Sequence, residues 1–203
     1  MITIIDYGMG NTGSIVNMLK KIGVKSLITS NPEEIAKARK IILPGVGHFD
    51  RAMEKINQNS LREILDQKAL QEKVPFLGIC LGMQLLTKSS EEGKCPGLGW
   101  IPAKTVRFHF PQESTLKIPH MGWNLVQRST PSPLTENFET EHRFYFVHSY
   151  HAQVEDEKYS ILKTEYGYFF DSAIQKDNIF GVQFHPEKSH RFGMRLLENF
   201  ARL

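Results

Sequence analysis

The chain has 203 residues, 40% hydrophobic and 23% charged, enough for one sizeable core, so residues 1–203 read as a single domain. The net charge of +3 comes from scattered Lys and Arg rather than a basic block, which argues against nucleic acid as a partner. Two cysteines make no disulfide framework and fit a reducing, cytoplasmic setting.

The opening MITIIDYGMGN has no basic region, long apolar stretch or small-residue cleavage site, so it does not read as a signal peptide. No apolar run approaches the ~20 residues of a spanning helix, which argues against a membrane partner. Ile2–Ile5 is a β-branched run and predicts a strand, broken by DYGMGN. Thr12–Ile22 carries helical spacing at Ile15, Val16, Leu19 and Ile22, with Gly23 as its stop. Ser26–Thr29 predicts a strand. Asn31 then caps a helix with Pro32 at its first position and acids in its first turn. KIILPG predicts a third strand. The segment from His48 to about Gln71 is helical in pattern, and VPFLGIC predicts a fourth strand.

Strands alternating with helices predict an α/β fold with a mostly parallel sheet covered on both faces. After Gly93 the pattern changes. TVRFHF, LKIPHMGWNLV, RFYFVHSYHAQV, SILKTEY, FFDSAIQ and NIFGVQF read as strands joined by short turns. They predict an additional antiparallel layer. A final helix over about His190–Arg202 turns Phe192, Leu196, Leu197 and Phe200 inward.

GMGNTG (Gly8–Gly13) matches a dinucleotide-binding fingerprint after a strand and before a helix. The acid that should end the second strand is missing, since SLITSNPEE ends there in Thr29–Asn31. The segment therefore reads as a tight strand-to-helix loop, and no cofactor is expected.

Gly78-Ile79-Cys80-Leu81-Gly82 has the form of a nucleophile elbow with cysteine in the serine position. Glycines on both sides relieve crowding in a sharp strand-to-helix turn. The following helix start favours a thiolate, and the N–H of Leu81 becomes a natural oxyanion donor. The competing reading is a buried, inert cysteine. Cys95, in GKCPGLG, has no such context and reads as a loop cysteine. A thiolate needs a base, and the base an orienting partner. GVQFHPEKS supplies both: an apolar strand ends at His185, and Glu187 follows two residues on, able to share its side. The competing reading is a surface His-x-Glu. Zinc is not expected, because no C-x-x-C or H-x-x-x-H spacing occurs.

PGVGHFD, FLGICLGMQLL and GVQFHPEKS together resemble the signature segments of class I, triad-type glutamine amidotransferases. IIDYGMGN, IPHMGWN and FYFVHSYH narrow the resemblance to the glutaminase subunits of imidazole glycerol phosphate synthase, over essentially the whole chain. The resemblance implies a class I glutamine amidotransferase-like fold. It implies Cys80 as nucleophile, His185 as general base and acid, and Glu187 as orienting carboxylate. Leu81, Val46 and Gly47 correspond to the oxyanion hole. Gly45, Gln84, Glu92, His148, Ser149 and Tyr150 match positions around the bound glutamine, which accounts for the polar Gln84 in an apolar run. Gln84 otherwise reads as a helix surface residue. Asn11, Trp123, Asn124, Tyr145 and Lys188 match docking or gate positions, although Trp123 also suits a core. The implied partner is a (β/α)₈ cyclase that receives ammonia through a tunnel, in a heterodimer.

One segment departs from that pattern. HPEKSHRFGMRLLENF carries His190 where the histidine branch reads Gly, and SHRFGM resembles a paralogous branch that feeds ammonia to a sugar amidotransferase. Three other readings differ in class. A docking subunit without turnover would have lost a triad member, a nucleotide-binding protein would use GMGNTG, and a stand-alone cysteine hydrolase would be fully active alone.

Overall fold

The computed structural model describes residues 1–58, 61–138 and 141–203. Four short apolar runs become parallel strands, β1 (Ile2–Ile5), β2 (Ser26–Thr29), β3 (Ile41–Gly45) and β4 (Phe76–Cys80), in the order β2-β1-β3-β4. β1, β3 and β4 are buried at every position, as parallel strands covered on both faces must be.

Helix α1 (Thr12–Lys21) starts where the Asn11 side chain accepts from the Ser14 N–H, and it stops before Gly23 at φ +74°. Helix α2 (Pro32–Ala36) is capped in the same way by Asn31, which accepts from the Glu33 N–H. The helix expected from His48 to Gln71 is not continuous. It divides into α3 (Phe49–Ile56), α4 (Leu61–Asp66) and one π turn at Gln67–Gln71, while residues 59 and 60 lie outside the described residues. The polar run that follows Ile56 interrupts the apolar period, and asparagine favours a turn there. A five-residue α5 (Leu81–Leu85) follows β4 directly.

The rest of the chain forms β5 (Ala103–Arg107), β6 (His120–Leu125), β7 (Gln127–Arg128), β8 (Arg143–His148), β9 (Tyr150–Val154), β10 (Ser160–Tyr166), β11 (Tyr168–Lys176) and β12 (Ile179–Val182). β12 pairs parallel with β4 and antiparallel with β11, so it joins the two halves into one ten-stranded sheet. β10 and β7 extend that sheet, and β9 links β11 to β5. Most of the expected antiparallel strands therefore continue the parallel sheet. Among the described residues, only β6 and β8 stand apart, as a two-stranded sheet.

The run RFYFVHSYHAQV, expected as one strand, is cut at Ser149. β8 belongs to the small sheet and β9 to the large one. The Ser149 carbonyl accepts from the Phe108 N–H at this corner. The last helix, α6 (His190–Arg202), lies where its pattern predicts and buries Phe192, Leu196, Leu197 and Phe200. Its apolar face joins Ile2, Ile4, Ile15 and Leu19 on one side of the sheet. Ile5, Leu43, Phe49 and Met53 form the core on the other. Among the described residues, no helix is long and apolar enough to cross a membrane.

Candidate active site

β4 delivers Cys80 in a conformation that ordinary residues avoid, φ 55° and ψ −111°. Such a backbone costs about 1–3 kcal/mol and persists only where its surroundings over-determine it. The flanking glycines are obligatory. A Cβ on Gly78 would lie 2.6 Å from the Gly82 carbonyl oxygen, and one on Gly82 only 1.9 Å from that of Leu43. The turn is an elbow, with the thiol at its tip and Leu81 beginning α5.

β3 ends alongside, with Gly45 opposite Cys80 in the register. It too must be glycine, since a Cβ would come within 2.8 Å of Leu81, Gly82 and the Tyr7 hydroxyl. Tyr7 donates that hydroxyl to the Pro44 carbonyl at 2.8 Å. Burial, with Cys80 nearby, pushes its phenol well above the ordinary tyrosine range. Beyond Gly45, Val46 is exposed and Gly47 turns at φ +108°.

His185 follows the end of β12 and precedes a 3₁₀ turn at Pro186–Lys188. Its Nδ1 lies 2.7 Å from Glu187 Oε1, and both side chains are buried. The backbone is pinned as well. The His185 N–H donates to the Tyr145 carbonyl, Ser189 Oγ donates to the His185 carbonyl, and the Tyr145 N–H donates to Ser189 Oγ. Burial alone disfavours an imidazolium, but Cys80 and Glu187 outweigh it and raise His185 to about 10. Its buried Nε2 has no hydrogen bond that meets ordinary geometry, leaving it available to the sulfur or to a bound molecule.

Cys80 and His185 share a cavity of about 360 Å³, walled also by Val46, Gly47, Leu81, Gln84, Glu92, His148, Ser149, Tyr150 and Lys188. The structure thus brings the expected nucleophile, base, oxyanion and substrate positions together. Gly45 and Glu187 do not line it: Gly45 pairs with Cys80 in the sheet, and Glu187 stands behind the imidazole. Gln84 is buried rather than on a helix surface. It donates to the Tyr150 carbonyl at 3.1 Å and to Gln183 Oε1 at 3.2 Å. Glu92 accepts from the Phe49 N–H at 2.9 Å, so one carboxylate oxygen tethers the cavity wall to α3.

His148 fixes its own tautomer. Its Nδ1 must donate to the Tyr150 carbonyl, 2.7 Å away, so its Nε2 accepts from His120 Nδ1 at 3.0 Å. Asn124 then donates to His120 Nε2 and to the Glu165 carbonyl. Burial drives His120 down to about 4 and His148 well below the ordinary imidazole value, so both rings are neutral.

Of the expected docking residues, Trp123, Tyr145 and Lys188 share one rim, whereas Asn124 turns to the other face of β6, toward His120 and the Glu165 carbonyl, and Asn11 begins α1. Trp123 is 44% exposed, which removes its core reading. It meets Tyr145 edge-on at 6.3 Å and stacks flat on His190 at 5.6 Å. Lys188 Nζ lies 5.7 Å from the Tyr145 ring centre. Cys95 is remote from this chemistry: its N–H donates to Asp50, and burial with the Asp50 carboxylate raises its thiol.

Sequence reasoning missed Tyr7, His120 and Gln183. Gln183 was detectable by the same sign as Gln84, a polar residue inside an apolar run.

A cysteine on an elbow, a histidine in its cavity and a carboxylate behind that histidine can transfer an acyl group. The class-I glutamine amidotransferase family model matches residues 3–203. The chain belongs to that family, among its HisH glutaminase subunits. It is therefore an enzyme, a glutamine amidotransferase. It is 58% identical to imidazole glycerol phosphate synthase subunit HisH 2 of Methanococcus maripaludis, over 100% of this chain and 99% of that one. It is 50% identical to subunit HisH of Sulfurimonas denitrificans, over 100% and 98%. Two solved structures share the fold. A glutamine amidotransferase has a TM-score of 0.75 at 16% identity, covering 100% of this chain and 98% of that one. A chain of PurLQS from Thermotoga maritima has a TM-score of 0.75 at 18% identity, covering 99% and 97%.

Proposed function

We propose that the chain is one glutamine amidotransferase domain, the cytoplasmic glutaminase subunit of an imidazole glycerol phosphate synthase, acting in histidine biosynthesis. Cys80 is its nucleophile. The thiolate attacks the side-chain carboxamide carbon of glutamine, and the N–H groups of Leu81 and of Val46 or Gly47 hold the oxyanion. His185 protonates the departing nitrogen as ammonia, leaving a thioester on Cys80. His185 then takes a proton from water, which attacks the thioester and releases glutamate. Glu187 holds the imidazole in the orientation both steps need. Gln84, Glu92, His148, Ser149 and Tyr150 enclose the substrate.

The observation that carries this reading is the strained Cys80 in one cavity with an imidazole backed by a buried carboxylate. Released ammonia is lost if it meets water, so we take it to pass to a (β/α)₈ cyclase subunit docked over Asn11, Trp123, Asn124, Tyr145 and Lys188. Met121, Trp123 and Leu125 give β6 an exposed apolar face suited to such a partner. The relatives reported above carry the synthase's name, so a sugar amidotransferase is not the favoured acceptor.

The test is Cys80→Ser. Hydrolysis of glutamine should fall by at least ~10³-fold, because a serine hydroxyl is barely ionised beside the same histidine. Synthesis from external ammonia by the reconstituted complex should survive, and Cys95→Ser should leave turnover intact. Glutamine-dependent turnover in Cys80→Ser at the wild-type rate would remove the nucleophile.

A further inference from the structure

Gln183 is fully buried between β12 and His185, a costly place for a primary amide unless its groups are paired. Its orientation follows from a chain of hydrogen bonds. The Tyr150 carbonyl can only accept, so Gln84 turns its Nε2 toward it, at 3.1 Å. The same nitrogen lies 3.2 Å from the Gln183 side chain, which must present its oxygen there. The Gln183 Nε2 is thereby left facing Cys80 Sγ at 3.7 Å. Reversing the Gln183 amide would set two NH₂ groups against each other and turn an oxygen toward the sulfur. One backbone carbonyl thus fixes two side-chain amides and aims an N–H at the nucleophile.

We propose that Gln183 is the sulfur-orienting residue of this site: its side-chain N–H donates to the Cys80 thiolate and holds the sulfur beside His185. The inference rests on Cys80 being the nucleophile. A hydrogen bond to an anion is stronger than one to a neutral thiol, so the donor favours thiolate over thiol. Once sulfur has bonded to the substrate carbon its charge is gone and the hydrogen bond weakens. Gln183 therefore acts by populating the reactive form at neutral pH, and it takes no proton itself. Gln84, on the cavity wall, sets the donor's direction.

The test follows alkylation of Cys80 by iodoacetamide across pH in the full chain carrying Cys95→Ser, with thermal midpoints as a check on folding. Gln183→Met keeps the volume and deletes the donor. It should slow alkylation ~10-fold near neutral pH, close to the weak end of what a hydrogen bond to a charged group contributes, and recover toward the parent rate at high pH. Gln183→Glu sets a carboxylate beside the sulfur and should slow it further. Folded variants with the parent's profile overturn the proposal, as does a slowing that is equal at every pH. If neither variant folds, the side chain's work is structural and the proposal also fails. A parent chain whose Cys80 resists alkylation at every pH, and whose turnover survives Cys80→Ser, overturns the nucleophile assignment itself.

Discussion

The parallel half of the sheet supplies Cys80, Leu81 and the Gly45–Gly47 loop from the carboxyl ends of adjacent strands, where neighbouring backbones fix one another. The antiparallel half supplies His185 from the residue before a 3₁₀ turn, Glu187 from within that turn, and His148 and Tyr150 from either side of a strand break. In the first half, position is set by close backbone contact, and the glycines are its signature. In the second, it is set by side-chain hydrogen bonds among buried polar groups. A site built from both should fail in two ways, abruptly where backbones touch and gradually, with a pH dependence, where side chains hold.

The sharpest break is Gly82→Ala against Gly122→Ala. At Gly82 a methyl group meets a backbone oxygen at 1.9 Å, so β3 and α5 must separate. We expect a loss of at least ~3 kcal/mol, or no folded protein. Gly122, in β6, has φ +129° but open space around it. Its alanine variant should lose only about 1–2 kcal/mol, from backbone strain. Urea unfolding of the two variants measures the difference. Equal losses would mean that the elbow is not held by backbone contact.

That contrast also explains what the sequence revealed. The elbow was legible because glycine spacing encodes a backbone crossing directly. The His185–Glu187 pair was legible because its partners lie two residues apart, just beyond the end of one apolar strand. α1, α2 and α6 were legible from caps and apolar period. The cut at Ser149 was not, because the apolar alternation of β8 runs on into β9 and nothing local marks a change of sheet. The join of β4 to β12 was equally hidden, being a pairing of segments about a hundred residues apart. The Gln84–Gln183 contact depends on that join and the His120–His148 contact on the pairing of β6 with β8, so their members looked like isolated polar residues.

The antiparallel half is sharpened by pH. His120 is neutral when folded, at about 4, against an ordinary value of 6.5. The unfolded chain takes up its proton first as pH falls. The contribution is therefore full above about 6.5 and is lost progressively toward 4, and His148 adds in the same direction. For His120 the loss reaches about 3 kcal/mol, or roughly 6–12 °C in thermal midpoint for a chain of this size. His120→Gln should begin less stable at pH 7.5 and decline less between pH 6.5 and 4. A decline parallel to that of the wild type would place the acid sensitivity elsewhere. The parallel half carries no buried histidine among the described residues, so a mildly destabilising change there, such as Ile42→Val in β3, should keep the wild-type slope.

The smallest expected effect falls on the rim of the proposed docking face. His190 opens α6 at φ +46°, a conformation that suits glycine, yet its ring lies flat against Trp123 with an interplanar angle of 2°. Strain retained at an exposed position needs a compensating contact, and the stack on a half-exposed tryptophan is one. His190→Gly relieves the backbone and removes the stack. Each change is worth about 1 kcal/mol with opposite sign, so stability should move by less than ~1 kcal/mol. Turnover of the isolated chain should be unchanged, because the ring touches neither Cys80 nor its cavity. Binding is the sensitive readout, since a released Trp123 must be ordered again when the partner docks. We expect affinity for the cyclase subunit to fall ~2–10-fold, measured by titration calorimetry with the reconstituted pair. Unchanged affinity would leave His190 a strained surface residue with no part in docking. Tighter binding would mean that the flat stack holds Trp123 away from its docked position, and that the glycine form is the better fit to a cyclase.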